Sequence, residues 1–415
     1  MTLSRQVEHL FRHEYGKLVA VLSCRVGVGH LDDIEDAVQS ALMRALERWP
    51  LSGMPENPTA WLYRVAQNRL LGELRQRSGR RRILEERGES EVVAAAEDPE
   101  PCLAEEIRDD LLRMLFVCCD EVIPEESQLV LALKTLGGFS VGEIAHRLFL
   151  TEANVYKRLG RARARLREHG VNLTKLKDQD LVARLPAVHK VVYLIFTEGY
   201  LSSNHENAIR QELCAEAIRL TGFLAEHPVC RGAETAALLA LMHLHTARLS
   251  ARQDHSGGLL LLEEQDRSRW DREQIRQGLE WLARSAQGDT FSRFHAEAGI
   301  AAEHCLAETF ADTRWDRVLA CYELLERTDS SALHRLNRAV ALAEWEGPEA
   351  ALALLAETKP PAWLVGSYLW SAVLADLNRR SHQIEEAKKY RDRALSGAPS
   401  PAIRDLLIRR LDGRQ

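Results

Sequence analysis

Residues 140–167 read SVGEIAHRLFLTEANVYKRLGRARARLR, and this stretch decides the fold. Ser140 followed by Glu143 is typical of a capping box that begins a short helix, and Thr151 is placed to cap the next helix. In that second helix, apolar residues recur at helical spacing and should face inward: Val155, Leu159, Ala162 and Leu166. The outer side keeps Asn154, Lys157, Arg158, Arg161 and Arg165. Two short helices with outward cations on the second are the usual device for reading a DNA major groove; an ordinary helical hairpin with a solvated basic face is the alternative.

Composition limits where a DNA-binding surface can lie. The 415 residues are too many for one ordinary core, so roughly two to four domains are expected. The hydrophobic share of 46% and the charged share of 28% are those of a soluble globular protein. A net charge of −6 excludes a uniformly basic nucleic-acid-binding protein. The basic residues do cluster, at 75–82 and at 157–167, and an acidic run at 85–110 separates the clusters.

The reactive residue types show no catalytic or metal-binding pattern. The eight cysteines form no CxxC pair, and Cys118–Cys119 are expected to be reduced, packed thiols. The pairs His9–His13 and His243–His245 have no nearby partners that would complete a metal site. We therefore expect no enzyme activity, no cofactor and no metal. No signal peptide and no apolar run of 18 residues are present, so neither export nor membrane association is indicated and a cytoplasmic protein is expected.

Helical periodicity dominates the chain, and no segment alternates as a strand would, so an all-α protein is predicted. Residues 33–47 (DIEDAVQSALMRALE) form a helix in this prediction. Its inward face is Ile34, Ala37, Val38, Ala41, Leu42, Ala45 and Leu46, and its other face is Asp33, Asp36, Ser40 and Arg44. Residues 50–58 (PLSGMPENP) predict a loop. A further helix is expected from Thr59 to the arginine cluster near Arg77.

These patterns divide the chain into blocks. A first helical domain is expected at 1–77, and a second, which ends in the helix-turn-helix, at 107–170. Residues 78–106 between them are poor in apolar side chains and dense in charge, which predicts a flexible acidic linker. Residues 174–415 then form a helical extension, in parts 174–290 and 291–415.

A weak repeat runs through the last part of the extension. Three segments each resemble the second helix of a helix-turn-helix repeat: 313–327, 344–356 and 379–395. Each follows another predicted helix, at 292–309, 331–343 and 366–376. Ala387 and Ala394 lie seven apart, close to the tetratricopeptide spacing of small residues that lets helices approach. A generic helical bundle with alanine-rich contacts is the alternative.

The first two blocks resemble the sigma-70 family of bacterial transcription initiation factors, specifically the short extracytoplasmic-function (ECF) group. DIEDAVQSALMRAL at 33–46 is similar to the family's helix that docks on the clamp coiled coil of core RNA polymerase. AWLYRVAQNRLLGELRQR at 60–77 is similar to the helix that melts and reads the promoter −10 element. The helix-turn-helix then takes the place of the −35 reader. The resemblance implies core RNA polymerase and promoter DNA as partners.

The rest of the chain resembles a subgroup with a long tetratricopeptide-like extension that is needed for activity. The similar segments are 111–124, 131–140 and 184–203. This resemblance implies intramolecular contacts between the extension and the two sigma domains. One departure is in the turn of the helix-turn-helix, where Leu148–Leu150 replace the glycine of most members and Phe149 is expected to pack under the turn or against the extension.

Together, the resemblance and the demands of promoter opening imply roles for named residues. The −35 readers are Asn154, Lys157, Arg158, Arg161 and Arg165, with Arg163 and Arg167 as phosphate partners or solvated side chains. The −10 readers are Trp61, Arg64, Asn68, Arg69 and Arg75, although Trp61 fits a core position as well. The polymerase-docking residues are Asp33, Asp36, Gln39 and Arg44. The candidate contacts between extension and sigma domains are Phe149, Tyr193, Phe196 and Tyr200, the last three of which fit plain core equally well.

The sequence is compatible with two alternative functions. The first is an ECF-type sigma factor whose activity its extension controls. The second is a helix-turn-helix regulator whose helical domain senses a peptide or ligand. The linker suits the first, because about 28 extended residues span up to roughly 95 Å, and the two promoter elements lie roughly 85 Å apart.

Overall fold

The computed structural model describes residues 3–84, 104–148, 150–171, 176–201, 209–255, 257–399 and 401–412. The regular structure in these ranges is helical, which confirms the all-α prediction. The chain forms two compact units, residues 1–195 and 196–415. Among the described helices, none is both long enough and apolar enough to cross a membrane.

The first unit contains the two predicted sigma domains. Its helices are α1 (Leu3–Val26), α2 (Leu31–Ser52), α3 (Pro58–Leu84), α4 (Ala104–Cys118), α5 (Glu125–Thr135), α6 (Val141–Arg147), α7 (Glu152–Glu168) and most of α8 (Asp178–Tyr200). Helices α1, α2 and α3 pack on one another around buried residues such as Ile34 and Leu62. Helices α5, α6 and α7 pack around Ile144 and Leu159.

The helix ends differ from the prediction in two places. Helix α2 continues through Pro50 to Ser52, because a proline so near the end of a helix removes only one of its last hydrogen bonds. Gly53 then ends the helix with a φ of 82°, a value that glycine adopts without strain. Helix α3 continues to Leu84 and α4 begins at Ala104, so both ends of the predicted linker are helical. Residues 85–103 lie outside the described part of the chain.

Two predictions about the faces of α2 are wrong. Leu46, expected inside, is 44% exposed, and Asp33, expected outside, is only 9% exposed. The Asp33 carboxylate lies 2.6 Å from the Arg77 guanidinium of α3 and 3.4 Å from His30. This acid therefore pairs within the chain, whereas an apolar side chain of the same helix faces outward.

The two sigma domains pack directly against each other. Helix α1 of the first domain contacts α4 and α5 of the second. At Gly16 in α1, an added Cβ would lie 2.6 Å from the carbonyl oxygen of Leu136, just after α5. The absence of a side chain at Gly16 therefore allows the two backbones to approach this closely.

The second unit is a chain of packed helices. They are the end of α8, then α9 (Gln211–Glu226), α10 (Ala233–Thr246), α11 (Arg272–Ser285), α12 (Arg293–Leu306), α13 (Trp315–Thr328), α14 (Ala332–Trp345), α15 (Pro348–Ala356), α16 (Ala362–Val365), α17 (Tyr368–Arg380), α18 (Ile384–Ser396) and α19 (Pro401–Leu411). From α12 onward, most helices contact the next one along the chain, and α15 contacts α17. The predicted helix pairs are thus confirmed as α12–α13, α14–α15 and α17–α18, with Ala387 and Ala394 buried. Their tetratricopeptide character stays a prediction.

Gly16→Ala should destabilise the protein by about 1–3 kcal/mol, because the added methyl meets a backbone carbonyl that cannot move aside cheaply. Gly72→Ala in α3 is the matched control. No atom lies within 4 Å of its built Cβ, so alanine there should be neutral or stabilise the helix by up to about 1 kcal/mol. Guanidinium unfolding of both variants measures the difference. Equal stability of the two would contradict the tight approach at Gly16.

Candidate nucleic-acid and polymerase interface

The helix-turn-helix forms as its capping residues predict. The Ser140 Oγ accepts a hydrogen bond from the Glu143 N–H at 3.2 Å, and the Ser140 N–H donates to the Glu143 carboxylate at 2.8 Å. The Thr151 Oγ accepts from the Asn154 N–H at 3.2 Å and begins α7. Across the turn, the Leu150 N–H donates to the Ala145 carbonyl at 2.8 Å. Phe149 lies outside the described residues, so its predicted contact stays a prediction.

Helix α7 presents two distinct faces. Val155, Leu159, Ala162 and Leu166 are buried, as predicted from their spacing. Asn154, Lys157, Arg161 and Arg165 are exposed, as a groove-reading face requires. Tyr156, which we did not predict as a site residue, is 62% exposed between Asn154 and Lys157. A ring at that place offers an apolar surface to sugars or to a thymine methyl.

Two of the predicted −35 cations are held by an acid of α5. The Arg161 guanidinium lies 2.7 Å from the Glu126 carboxylate, and that of Arg158 lies 3.5 Å from it. Arg158 also donates to the Glu126 backbone carbonyl at 3.2 Å. Glu126 is half exposed, and exposed ion pairs are weak, about 0–1 kcal/mol. DNA phosphates can therefore compete for both guanidiniums.

The C-terminal half of α7 lies against the start of α2. The Arg163 guanidinium is 2.6 Å from the Asp32 carboxylate and 2.7 Å from that of Glu35. Arg167 lies 3.2 Å from Asp32, and the Thr135 hydroxyl donates to Glu35 at 3.2 Å. We name these residues the α2–α7 latch. Arg163 is largely buried in it, so in this arrangement it is neither solvated nor open to a phosphate, contrary to the expectation.

The predicted −10 residues form most of one stripe along α3. Arg64, Asn68 and Arg75 are exposed and follow helical spacing from Trp61. Trp61 is half buried, with its ring edge-on to Trp49 at 5.6 Å, which favours its role as a packing residue. Arg69 points to the side, where it donates to the Ser40 hydroxyl of α2 and, at 2.9 Å, to Glu73.

The outer side of α2 is more apolar than we predicted from the sequence. Asp36, Gln39 and Arg44 are exposed, as expected for docking residues. Met43 is 61% exposed beside them, and the exposed Leu46, Leu51 and Met54 continue this side toward the loop before α3. Several large apolar side chains exposed on one part of the chain favour a partner surface there. Inward and outward apolar residues look alike in a sequence, which is why this surface was missed.

A buried ion pair ties α8 to the second sigma domain. The Arg184 guanidinium lies 2.7 Å from the Asp120 carboxylate, and both side chains are nearly inaccessible. Lys190 pairs with Glu125 at 2.8 Å on the surface nearby. Cys118 and Cys119 lie beside this contact, and burial raises the pKa of Cys119 to about 12. The thiol of Cys119 thus stays protonated, as expected for a packed thiol.

Two of the candidate contact residues of α8, Phe196 and Tyr200, have aromatic contacts within the extension. The Phe196 and Tyr200 rings stack at 6.0 Å, and Tyr200 lies 4.8 Å from the ring of His245. The Arg252 guanidinium lies over the Tyr200 ring at 3.7 Å. These contacts favour the core alternative for Phe196 and Tyr200. Tyr193 is half buried.

Comparison with protein families matches three parts of the chain. Sigma-70 region 2 matches residues 10–80, and sigma-70 region 4 matches residues 114–166. A family of unknown function (DUF6596) matches residues 184–286. The chain is a sigma factor of the sigma-70 family. The α3 stripe lies within its region 2, and α7 lies within its region 4.

Two curated proteins are similar to this chain. An uncharacterized protein of Rhizobium meliloti (strain 1021) is 34% identical over 392 residues, which are 92% of this sigma factor and 90% of the relative. A probable RNA polymerase sigma factor, RfaY of Xanthomonas campestris pv. campestris, is 32% identical over 133 residues, or 32% of this chain and 33% of that protein. No solved structure matches significantly. As a sigma factor, the protein acts with core RNA polymerase on promoter DNA.

Proposed function

We propose that this sigma factor is of the extracytoplasmic-function type and that its helical extension controls its activity. In this proposal residues 1–77 read the −10 element, residues 107–170 read the −35 element, and residues 174–415 form the controlling extension. The observation that carries the proposal is the pair of exposed polar faces, on α3 and α7, in the two sigma regions. Each face combines cations with an amide side chain, which suits backbone contacts together with base contacts.

The outer side of α2 is the proposed docking surface for core polymerase. Its polar residues Asp36, Gln39 and Arg44 flank the exposed Met43 and Leu46. Protein–protein interfaces combine an apolar centre with a polar rim, and this mixed surface has that composition. The latch lies at the N-terminal end of α2, away from Met43 and Leu46. Core polymerase can therefore bind α2 while the latch is closed.

The closed latch is incompatible with a complete promoter complex. A path from Asn154 along α7, across the Arg163–Asp32 pair, along α2 and across the Arg69–Ser40 contact to α3 is at most roughly 50 Å long. The two promoter elements lie roughly 85 Å apart. We propose that the free chain is a closed state, and that the sigma regions must separate both at the latch and where α1 packs on α4 and α5 before both elements are read.

The link between the sigma regions allows such a separation. Helices α3 and α4 leave residues 85–103 between them, which reach roughly 65 Å when extended. That reach is shorter than the span of roughly 95 Å expected for a linker of about 28 residues. The part of α3 that follows its −10 face adds length between the two reading faces and makes up part of the difference.

Control by the extension is proposed to run through α8. This helix spans the boundary between the two units, and its first part is fixed to region 4 by the buried Arg184–Asp120 pair. Breaking a buried pair by loss of one partner costs about 3–5 kcal/mol, so α8 is not easily released from region 4. A change in the extension that moves α8 would then act on the −35 reader.

Runoff transcription with purified core polymerase tests the function. The full chain should start transcription, and deletion after His169 should change the yield severalfold, because it removes α8 from the buried Asp120. A second deletion, after Leu201, keeps α8 and removes the rest of the extension. Unchanged yield in both deletions would refute control by the extension. A chain that footprints the promoter without polymerase and starts no transcription would instead be a conventional regulator.

Substitutions on α7 should separate base reading from phosphate contact. Asn154→Ala should cost about 1–3 kcal/mol of promoter binding by the holoenzyme and relax the preference at one −35 position. Lys157→Ala should weaken binding equally on all sequences and lower the salt slope by about one. Arg276→Ala in α11 is a control, since that arginine pairs with surface glutamates outside the sigma regions. Salt titrations on promoters with altered −35 bases measure each effect.

Opening of the latch should be measurable in the free chain. The double change Asp32→Asn and Glu35→Gln leaves Arg163 without its carboxylates, so the radius of gyration from X-ray scattering should rise. Promoter complexes should form severalfold faster at limiting core polymerase. Glu126→Gln is the matched control, because it frees two α7 arginines without touching α2. An unchanged radius together with unchanged rates would exclude the latch as a restraint.

A further inference from the structure

The second unit contains a half-open cavity that the sigma function does not use. Its volume is about 400 Å³. It is lined by residues of five helices, α12, α13, α14, α17 and α19, and by the segments at Phe310 and Leu261–Glu263. Helix α19 meets the latter segment, since the Arg409 guanidinium donates to the Leu259 carbonyl and lies 3.9 Å from the Glu264 carboxylate. The segment at 259–264 and the last helix of the unit thus come together around one space.

One side of the cavity is aromatic and apolar. The Trp315 ring stands edge-on to Phe310 at 5.3 Å and to His304 at 5.4 Å. Val318 and Ala341 are buried beside it, and Val340 lines the same space. Such a surface favours an apolar or aromatic body over a hydrated ion.

The other side is rich in hydrogen-bond donors. The Asp376 carboxylate accepts from Arg379 at 2.8 Å and from Arg410 at 3.4 Å. Arg380 pairs with Glu344 at 2.5 Å and donates to the Ala343 carbonyl at 2.9 Å. Three guanidiniums offer about fifteen N–H donors. Within the described residues, the acceptors that hold them are the Asp376 and Glu344 carboxylates and the Ala343 carbonyl, and Glu263 adds a third carboxylate to the lining, so the charges of the lining balance while its N–H donors outnumber the acceptors.

Two buried polar atoms of the lining lack a partner within the described residues. They are Nε of Arg379 and Nδ1 of His304. Burial, with Arg248 and Arg267 nearby, lowers the pKa of His304 to about 3, so its ring is neutral and offers one donor and one acceptor nitrogen. Buried polar atoms in native proteins nearly always have a partner, and a water or a bound group in the cavity can supply it for these two atoms.

We propose that this cavity binds a small organic anion, an aromatic or apolar body that carries a carboxylate. The body lies against Trp315, Val318 and Val340, and the carboxylate accepts hydrogen bonds from the guanidiniums of Arg379 and Arg410. The volume is within the range of small-molecule sites, about 300–1,000 Å³. The proposal does not depend on the sigma function, and its test contains no polymerase.

Isothermal titration of the full chain with naphthalene-2-carboxylate tests the proposal, and the neutral naphthalene-2-carboxamide is the matched probe. The carboxylate should bind at one site with a dissociation constant of about 0.1–1 mM, at least tenfold more tightly than the amide. Arg379→Gln should remove this preference for the anion. Val340→Trp, which fills the cavity, should abolish binding of both probes. Arg276→Gln on the outer side of α11 should change nothing.

Each result decides the matter. Absence of saturable binding by the carboxylate, or equal binding of carboxylate and amide, would overturn the proposal. Binding that persists in Val340→Trp would place the site elsewhere and overturn it as well. Thermal unfolding by circular dichroism shows whether each variant is folded. If Arg379→Gln unfolds because Asp376 loses a partner, Arg410→Gln replaces it, since its 3.4 Å contact with Asp376 is the longer one.

Discussion

The Arg163 guanidinium, held between the Asp32 and Glu35 carboxylates, is the ionic contact that, together with the packing of α1 on α4 and α5, sets how the two sigma regions are arranged in this structure. It joins the −35 helix to the helix that presents the docking surface. Replacing one partner of such a pair is costly, about 3–5 kcal/mol, yet forming the pair from hydrated ions yields little net free energy. The latch is therefore specific without being strong. Arg167 and Asp32 at its edge are half exposed, so DNA phosphates near Arg167 or polymerase side chains near Asp32 can compete for these charges, and this suits a contact that must open.

Local patterns in the sequence predicted the elements of the fold well. The caps at Ser140 and Thr151 and the buried stripe of α7 depend on residues only a few positions apart, so their spacing is visible in the sequence. The latch is not, because Arg163 and Glu35 are 128 positions apart and each is ordinary in its own helix. The prediction of which side of α2 faces inward was wrong for a related reason. Leu46 continues an apolar stripe, and sequence alone does not separate a core face from a partner face.

The extension shows the same division between local and long-range information. The paired helices of the extension were predicted near their observed positions, because the spacing of alanine and leucine within each helix is enough to define it. The cavity was not predicted, since its lining combines Leu261 with Arg410 and residues from five helices between or beside them. The Arg184–Asp120 pair was also missed, although 111–124 and 184–203 had each stood out as similar to one subgroup. The resemblance related both segments to one subgroup but did not say that they touch. The structure shows that they do, through this ion pair.

Both parts of the protein use guanidiniums that carboxylates only partly satisfy. In the latch, Arg163 shares two acids, and on α7 a single glutamate holds Arg158 and Arg161. In the cavity, Asp376 is shared by Arg379 and Arg410. A guanidinium has five N–H donors. When two guanidiniums share one carboxylate, each therefore keeps donors for a further acceptor. An arriving anion then gains hydrogen bonds without first breaking every internal one. In the cavity, the spare donors favour an anionic group, and the apolar side selects the body that carries it.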